Sequence, residues 1–518
     1  MRNTCLDGVT RRREVSLRRT LPFLAAVFIA LAGCAGLPRH VQKTPSMAFQ
    51  HPETTTLGKV VAAEEVGKNL SGIRLLSSGD EAFASLVALA DHAERSLDIQ
   101  YYIIHQDEST RALMHHVRLA ADRGVRVRVL VDDMNTAGQD RGFRNLAAHT
   151  NVEVRIFNPF TAGRFSNWTR FLAAATDIRR INHRMHNKLF VADDALAITG
   201  GRNIGDQYFT LDPRNNFVDL DVVAAGPIVP GLSASFDAFW NSKYAIPIAA
   251  LSSGVDTEEA SAPLVEPESS YNARWLAREL EAQAVTLTWV PATVLADGPA
   301  KIASETSPDE ELTIANKTTA LMKSAKQELV IISAYFVPGK EGVALIRDLV
   351  AQGVHVRILT NSLASTDSPI VDIGYARYRV ALLKLGVDLR EMRPKLGQKR
   401  PRFHPFRSST ASLHAKALVI DEKTVFIGSL NMDYRAAHTN SELGLVISST
   451  EIARQVTGLL DDISTDGSYR LQLDQNGRVE WVSGEGDAQR IWHTDPGTSL
   501  TERVWLKMLS PFAPDELL

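Results

Sequence analysis

Two textures of apolar residues alternate along the chain, short β-branched runs and longer stretches with helical spacing, and their order occurs twice. In the first half SLDIQYYII (96–104) reads as a strand, RALMHHVRLAADRG (111–124) as a helix stopped by Gly124, and VRVRVLVDD (125–133) as a second strand. In the second half ELVIISAYFV (328–337), EGVALIRDLVAQG (341–353) and VHVRILTNS (354–362) repeat that order, with Gly353 as the stop. Strand, crossover helix and parallel strand make a βαβ unit. The pattern therefore predicts an α/β protein of two pseudo-symmetric sandwich halves, each a mostly parallel or mixed sheet flanked by helices.

The halves are expected at 66–250 and 301–465. Between them LSSGVDTEEASAPLVEPESS (251–270) is rich in Ser, Glu and Pro, as an exposed linker is, and the helical YNARWLARELEAQA within 271–300 leads into the second half. Residues 34–65, polar and punctuated by Pro38, Pro45 and Pro52, read as a tether. A small C-terminal extension, 466–518, holds a hairpin with Asn476-Gly477 at its turn and a short amphipathic helix. The stripe on that helix, Leu500, Val504, Trp505, Met508 and Leu509, reads as core-facing, contact with a membrane being the rarer arrangement.

The first residues differ in kind. Arg11, Arg12, Arg13, Arg18 and Arg19 precede the apolar run LPFLAAVFIALAG and then Cys34, which is the order of an export signal. The run is shorter than the ~20 residues that span a bilayer. Leu31-Ala32-Gly33-Cys34 resembles the lipobox of bacterial lipoproteins, which implies removal of 1–33 and a lipid on Cys34. A membrane-anchored protein facing the periplasm is the expectation. Cys5 would leave with the signal, so the mature chain has no pair for a disulfide and no cysteine-ligated zinc site.

The chemistry lies in a pattern that also occurs twice. HNKLFVADD followed by ALAITGGRN gives His186, Lys188, Asp193, Gly201 and Asn203, and HAKALVIDEKTVFIGSLN gives His414, Lys416, Asp421, Ser429 and Asn431 at identical spacing. On a strand, His and Lys two apart share a face, so a nucleophile or acid stands beside a cation. The motif aspartates fall at the turn before the next strand, and the small residues allow close approach to an oxyanion. Downstream of each histidine a carboxylate follows, Asp219 and Glu442, placed to hold an imidazole's second nitrogen and fix its tautomer.

On these residues the chain resembles the phospholipase D superfamily, whose members carry this HKD motif twice on a pair of α/β halves. INHRMHNKLF, GGRNIGDQYF, TNSLASTD, IGSLNMDYR and HTNSELG look most like C-type bacterial cardiolipin synthases and related phospholipase D-like proteins. The resemblance implies that both motifs build one site, with His186 as nucleophile forming a phosphohistidine and His414 as general acid and base. It places Lys188, Lys416, Asn203, Asn431, Gly201 and Ser429 at the phosphate oxygens and Asp219 and Glu442 behind the histidines. Asp193 and Asp421 complete the motif, more in support of their loops than against substrate. No metal and no cofactor is called for, since two lysines supply the cations.

Composition narrows the substrate. With 44% apolar and 23% charged residues the chain is neither disordered nor a multi-span membrane protein. Residues 1–33 hold six arginines against two carboxylates, so the net charge of −3 becomes about −7 without them. An acidic chain disfavours nucleic acid as partner, and hence the nuclease alternative. The segment FNPFTAGRFSNWTRFLAAAT and the anchor favour a phospholipid, with Arg164, Arg170, Arg179, Arg180 and Arg184 as candidates to attract an anionic headgroup. Passage of a phosphatidyl group to phosphatidylglycerol, giving cardiolipin, is the expected reaction. A phospholipase D that uses water, or a silent binding protein, are the alternatives.

Overall fold

The computed structural model describes residues 41–515, apart from 66–68, 161–162, 165, 167–168, 171–181, 253–274, 304–312, 395–409 and 485. Cys34, the export signal, Arg179, Arg180 and most of the expected linker lie outside the described residues. The strands are β1 (Ser71–Leu76), β2 (Ser96–Tyr101), β3 (Arg126–Asp132), β4 (Val152–Phe157), β5 (Leu189–Ala192), β6 (Leu196–Gly200), β7 (Asn215–Val218), β8 (Asp221–Ala225), β9 (Ala245–Pro247) and β10 (Thr288–Val290). There follow β11 (Ala292–Ala296), β12 (Glu328–Ser333), β13 (His355–Asn361), β14 (Asp388–Met392), β15 (Thr410–Leu413), β16 (Lys416–Ile420), β17 (Thr424–Gly428), β18 (Leu443–Ser448), β19 (Ser468–Leu473), β20 (Val479–Ser483) and β21 (Arg490–Trp492).

Two large mixed sheets share one internal order. The first contains β1-β8-β6-β5-β2-β3-β4 and the second β11-β18-β17-β16-β12-β13-β14, strand for strand the same. Within each, three strands are parallel, β2-β3-β4 and β12-β13-β14, and the rest antiparallel. The crossover helices are Glu108–Asp122, capped by Asp107, and Gly339–Ala351. Both end at a glycine in the left-handed region, Gly124 at φ +95° and Gly353 at φ +87°, where a Cβ would be strained.

Each motif strand is apolar on both faces and is buried on both. Phe190 and Ala192 of β5 face the outer helices of the first half, whereas Leu189 and Val191 face a central layer shared by the halves. Ala417 and Val419 enter that layer from the second sheet, and the helices Val229–Asn241 and Thr450–Asp466 fill it with Phe236, Trp240, Ile452 and Val456. A shared core of this kind ties the two halves into one rigid frame.

Several boundaries differ from those read in the sequence. Residues 43–64 do not hang free as a tether: Thr44 and Ser46 offer their carbonyls to Arg155 and Arg128, both at 2.8 Å, and the helix Thr56–Glu64 buries Leu57, Val60 and Val61 in the first half. The helix Trp275–Glu281 packs on the first-half helix Gly79–His92, and β10 pairs with β1. The chain crosses to the second half only at Pro291, since β11 already pairs with β18. The hairpin β19–β20, with Gly477 at φ +75° in its turn, pairs with β14 and so widens the second sheet. The core-facing expectation for the C-terminal helix, Leu500–Leu509, is overturned for four of its five stripe residues: Leu509 packs half-buried on the second-half core, where Leu506 is buried, while Leu500, Val504, Trp505 and Met508 are exposed.

Candidate active site

Both motif histidines sit on the seam between the halves, each just outside a strand end. On one side β7 and β15 run parallel as a small ladder ending at Val218 and Leu413, one residue before Asp219 and His414. On the other side a single bridge joins Met185 to Ser441, one residue before His186 and Glu442. The same two contacts occur under pseudo-twofold symmetry. The His186 amide donates to the Ser441 carbonyl at 2.9 Å, and the His414 amide to the Val218 carbonyl at 2.8 Å. The ends of β3 and β13 add a further hold: Asp132 accepts from the Met185 amide and Asn361 from the Leu413 amide.

The side chains complete an exchange between the halves. His186 Nδ1 contacts both oxygens of Glu442, at 3.1 and 2.9 Å, and His414 Nδ1 contacts Asp219 Oδ2 at 2.5 Å. Within the repeat, Asp219 follows His186 and Glu442 follows His414. Each carboxylate nevertheless serves the other half's histidine, so neither half builds a complete dyad alone. With Nδ1 occupied, Nε2 is the nitrogen each ring has left for chemistry.

Two buried ammonium groups stand beside the rings. Lys188 Nζ donates to the His186 carbonyl at 2.6 Å, and Lys416 Nζ to that of His414. The Tyr102 ring meets His186 edge-on at 5.0 Å and lies 5.5 Å from Lys188 Nζ. Tyr208 and Phe217 flank His414 at 5.3 and 4.9 Å.

Electrostatics separate the two dyads. Burial pushes His186 well below the usual histidine range, and Lys188, Lys416, His414 and Arg435 are near enough to push the same way. Glu442 is raised by burial to about 7, against the pull of Lys188 and Ser429. Asp219 behaves oppositely: burial works against its charge, but His414, Lys416 and Arg202 outweigh that and hold it at about 2. His414 is lowered by burial and by Lys416, with Asp219 opposing. Burial also brings Lys188 down to about 7, with Glu442 supporting its charge, and lowers Lys416. Two lysines and Arg435 around two buried imidazoles suit an anionic phosphodiester, whose own charge would favour their protonated forms.

The other motif residues fall into three places. Asp193 accepts from the amides of Glu94, Arg95 and Ser96, and Asp421 from those of Lys326, Gln327 and Glu328, so both tie their hairpin turn to the neighbouring strand and stand away from the rings. The Ser429 hydroxyl donates to Glu442 and accepts from the Leu443 amide at 3.0 Å. Gly201 leaves room for Asp219, since a Cβ there would lie 2.1 Å from its Oδ1. These two small residues therefore face the carboxylates behind the rings. Asn203 uses Oδ1 on the Ile103 amide and Nδ2 on the Tyr208 hydroxyl, whereas the buried Asn431 Oδ1 has no hydrogen-bond partner among the described residues.

Sequence reasoning placed headgroup arginines where the structure has internal ion pairs. Arg164 binds Asp133 and Asp140, Arg170 is buried against Asp133, and Arg184 pairs with Asp132 at 3.2 Å. It missed Arg435, Tyr335 and Asp367. Arg435 acts on His186, and Asp367, bonded to the Tyr335 hydroxyl at 3.0 and 2.9 Å, acts on His414 and Lys416. The signal for Arg435 was an asymmetry, because the aligned position in the first copy is Gln207.

Two α/β halves that share one seam-bound pair of His-x-Lys motifs define a protein of the phospholipase D superfamily. The family described as "Cardiolipin synthase, PLD-like domain" matches residues 86–240 and again 318–463. Cardiolipin synthase C of Escherichia coli K12 is 38% identical over 462 residues, covering 86% of this chain and 96% of that protein. An uncharacterized protein of Helicobacter pylori (strain ATCC 700392 / 26695) is 32% identical, covering 94% of this chain and 98% of its own. The crystal structure of phosphatidylserine synthase from Haemophilus influenzae Rd KW20 shares the fold at a TM-score of 0.55 and 15% identity, over 89% of this chain and 99% of that one. The chain belongs to the cardiolipin synthase family of phospholipase D-like enzymes.

Proposed function

We propose that the protein transfers a phosphatidyl group from a phospholipid donor to phosphatidylglycerol, forming cardiolipin through a phosphohistidine. The observation that carries this reading is the reciprocal exchange, Glu442 on His186 and Asp219 on His414, which engages Nδ1 of each ring and leaves Nε2 for phosphorus, with His414 near enough to act on His186. His186, the more strongly depressed of the two, remains neutral and attacks phosphorus. The bond from phosphorus to the leaving alcohol breaks, and that alcohol takes the Nε2 proton of His414, which starts as the imidazolium supported by ionised Asp219 and the bound phosphate and becomes neutral. The acceptor hydroxyl then gives its proton to His414 and attacks phosphorus, and the bond to His186 breaks. Lys188, Lys416 and the amide of Asn431 hold the phosphate oxygens.

Membership of a family named for cardiolipin synthase, with a relative of that name similar along nearly its whole length, supports the substrate class. The export signal and Cys34 support a lipid-anchored protein at the periplasmic side of a membrane. Purified protein incubated with phosphatidylglycerol, with and without phosphatidylethanolamine, tests the reaction by chromatography and mass spectrometry of the lipids. Cardiolipin with released glycerol or ethanolamine is the expected product set. Phosphatidic acid without cardiolipin would replace transfer by hydrolysis.

A further inference from the structure

The C-terminal helix Leu500–Leu509 carries four of the nine large hydrophobic side chains that stand exposed among the described residues. Leu500 is 69% exposed, Val504 50%, Trp505 59% and Met508 60%. At helical spacing these four side chains lie on one arc, and Leu506, on the opposite side, anchors the helix in the second half. The helix is a deliberate element, closed at its start by a capping box between Ser499 and Glu502. Such a stripe belongs in a core or against something else.

Two further observations choose its occupant. Lys507, exposed, and Arg503, half-buried with one guanidinium nitrogen on Thr498, lie one turn apart and border the apolar arc on one side, while Glu502, the only carboxylate of the helix, is turned back into the cap. Apolar side chains, a tryptophan and flanking cations are the make-up of a surface that settles into an anionic lipid interface. The second observation is position. The helix packs on Pro369–Ala376, whose Ile370 adds another apolar side chain at 49% exposure. That helix begins two residues after Asp367, which acts on His414 and Lys416 and is bonded to Tyr335. Gly497, just ahead of the C-terminal helix, lies against Ala364 of the same loop. The helix thus stands beside the segment that carries Asp367.

We infer that the C-terminal helix is a membrane-docking surface that seats the mouth of the site on an anionic phospholipid bilayer, with Leu500, Val504, Trp505 and Met508 in the interface and Arg503 and Lys507 at the headgroups. The inference rests on the phospholipid reading above, and its test separates the two. Residues 1–40 carry their own apolar run, so vesicle binding alone reads nothing about this helix, whereas the depth of Trp505 does. The full chain is bound to vesicles of phosphatidylglycerol and phosphatidylethanolamine containing acyl-brominated lipid, and its tryptophan quenching is compared with that of Trp505→Phe. A clear loss of quenching in Trp505→Phe is expected.

In parallel, Val504→Asp/Met508→Asp is assayed on lipid in vesicles and on monomeric short-chain phosphatidylglycerol. A fall of about tenfold or more on vesicles, with less than about a twofold change on the monomeric lipid, is expected from loss of interfacial seating. Equal quenching of wild type and Trp505→Phe would overturn docking. So would an equal loss on both substrates, or a dimer in vesicle-free solution that the double variant dissociates. Deep quenching of Trp505 in a protein that turns over neither lipid leaves docking intact and removes the transferase reading.

Discussion

The two halves share seven strands in the same order and the same motif, yet the dyads they complete carry protons differently. Asp219 is short, sits behind a glycine, receives the Leu220 amide at 2.7 Å and is held ionised near 2 by the cations around it. Glu442 is longer, reaches past Ser429, and is raised to about 7 by burial. An ionised carboxylate stabilises the imidazolium from which a general acid gives its proton, and a half-protonated one leaves its ring neutral. Pseudo-symmetry of fold therefore coexists with an electrostatic difference that matches the proposed roles, His414 for proton transfer and His186 for attack on phosphorus.

The largest effect separates the two rings. His186→Ala and His414→Ala are each expected to lower turnover by about a thousandfold or more, the scale of losing a nucleophile or its proton-transfer partner. They should differ in what accumulates. His414→Ala retains the nucleophile, so incubation with phosphatidylglycerol should leave a base-stable, acid-labile phosphatidyl adduct on His186 in peptide mass spectra, absent from His186→Ala. An adduct on His414 in the His186→Ala protein would reverse the assignment.

The carboxylates come next and test the comparison directly. Asp219→Asn removes a full charge behind the proposed general acid and should lower kcat by about a hundredfold to a thousandfold, short of the roughly ten-thousandfold that a triad carboxylate is worth. Glu442→Gln replaces a group already half-protonated at pH 7 and should lower it by only about tenfold. Equal losses would dissolve the distinction. Glu442→Gln carries a pH signature as well. Lys188, at about 7, owes part of its charge to Glu442, so without that anion its ammonium deprotonates at lower pH. The alkaline limb of kcat/KM should then move to lower pH, and a limb that stays in place would detach Lys188 from the profile.

Most of the frame was legible because periodicity reports local structure. Both βαβ units, the glycine stops and the hairpin at Asn476-Gly477 follow from spacing and turn chemistry that neighbours in sequence decide. What was not legible depends on contacts distant in sequence. The repeat aligns Asp219 with Glu442, but nothing in it says which ring each one holds, and the exchange joins residues 195 and 256 positions apart. Arg164, Arg170 and Arg184 looked free beside the motif because their partners, Asp132, Asp133 and Asp140, belong to an earlier strand end and helix. The helix Thr56–Glu64 was hidden in a polar, proline-marked stretch, since Leu57, Val60 and Val61 gain their meaning only from the surface they cover. A stripe on the C-terminal helix is likewise the same in sequence whether it faces a core or stands exposed.

The smallest expected effect lies at the one motif position where the copies differ behind the rings, Gly201 against Ser429. Ser429→Ala removes the hydroxyl that donates to Glu442 and accepts the Leu443 amide, while the strand around it stays packed. That hydrogen bond lowers the Glu442 pKa, so its loss raises a group already at about 7. If ionised Glu442 is what orients His186, the acid limb of kcat/KM moves to higher pH. Turnover should then fall by about twofold to fivefold near neutrality, the worth of one hydrogen bond to a charged group. The deficit should be larger at pH 6 than at pH 8, where Glu442 is more fully ionised in both proteins. A deficit of the same size at both pH values would show that Ser429 acts on something other than this carboxylate, and the two dyads would then differ by geometry alone.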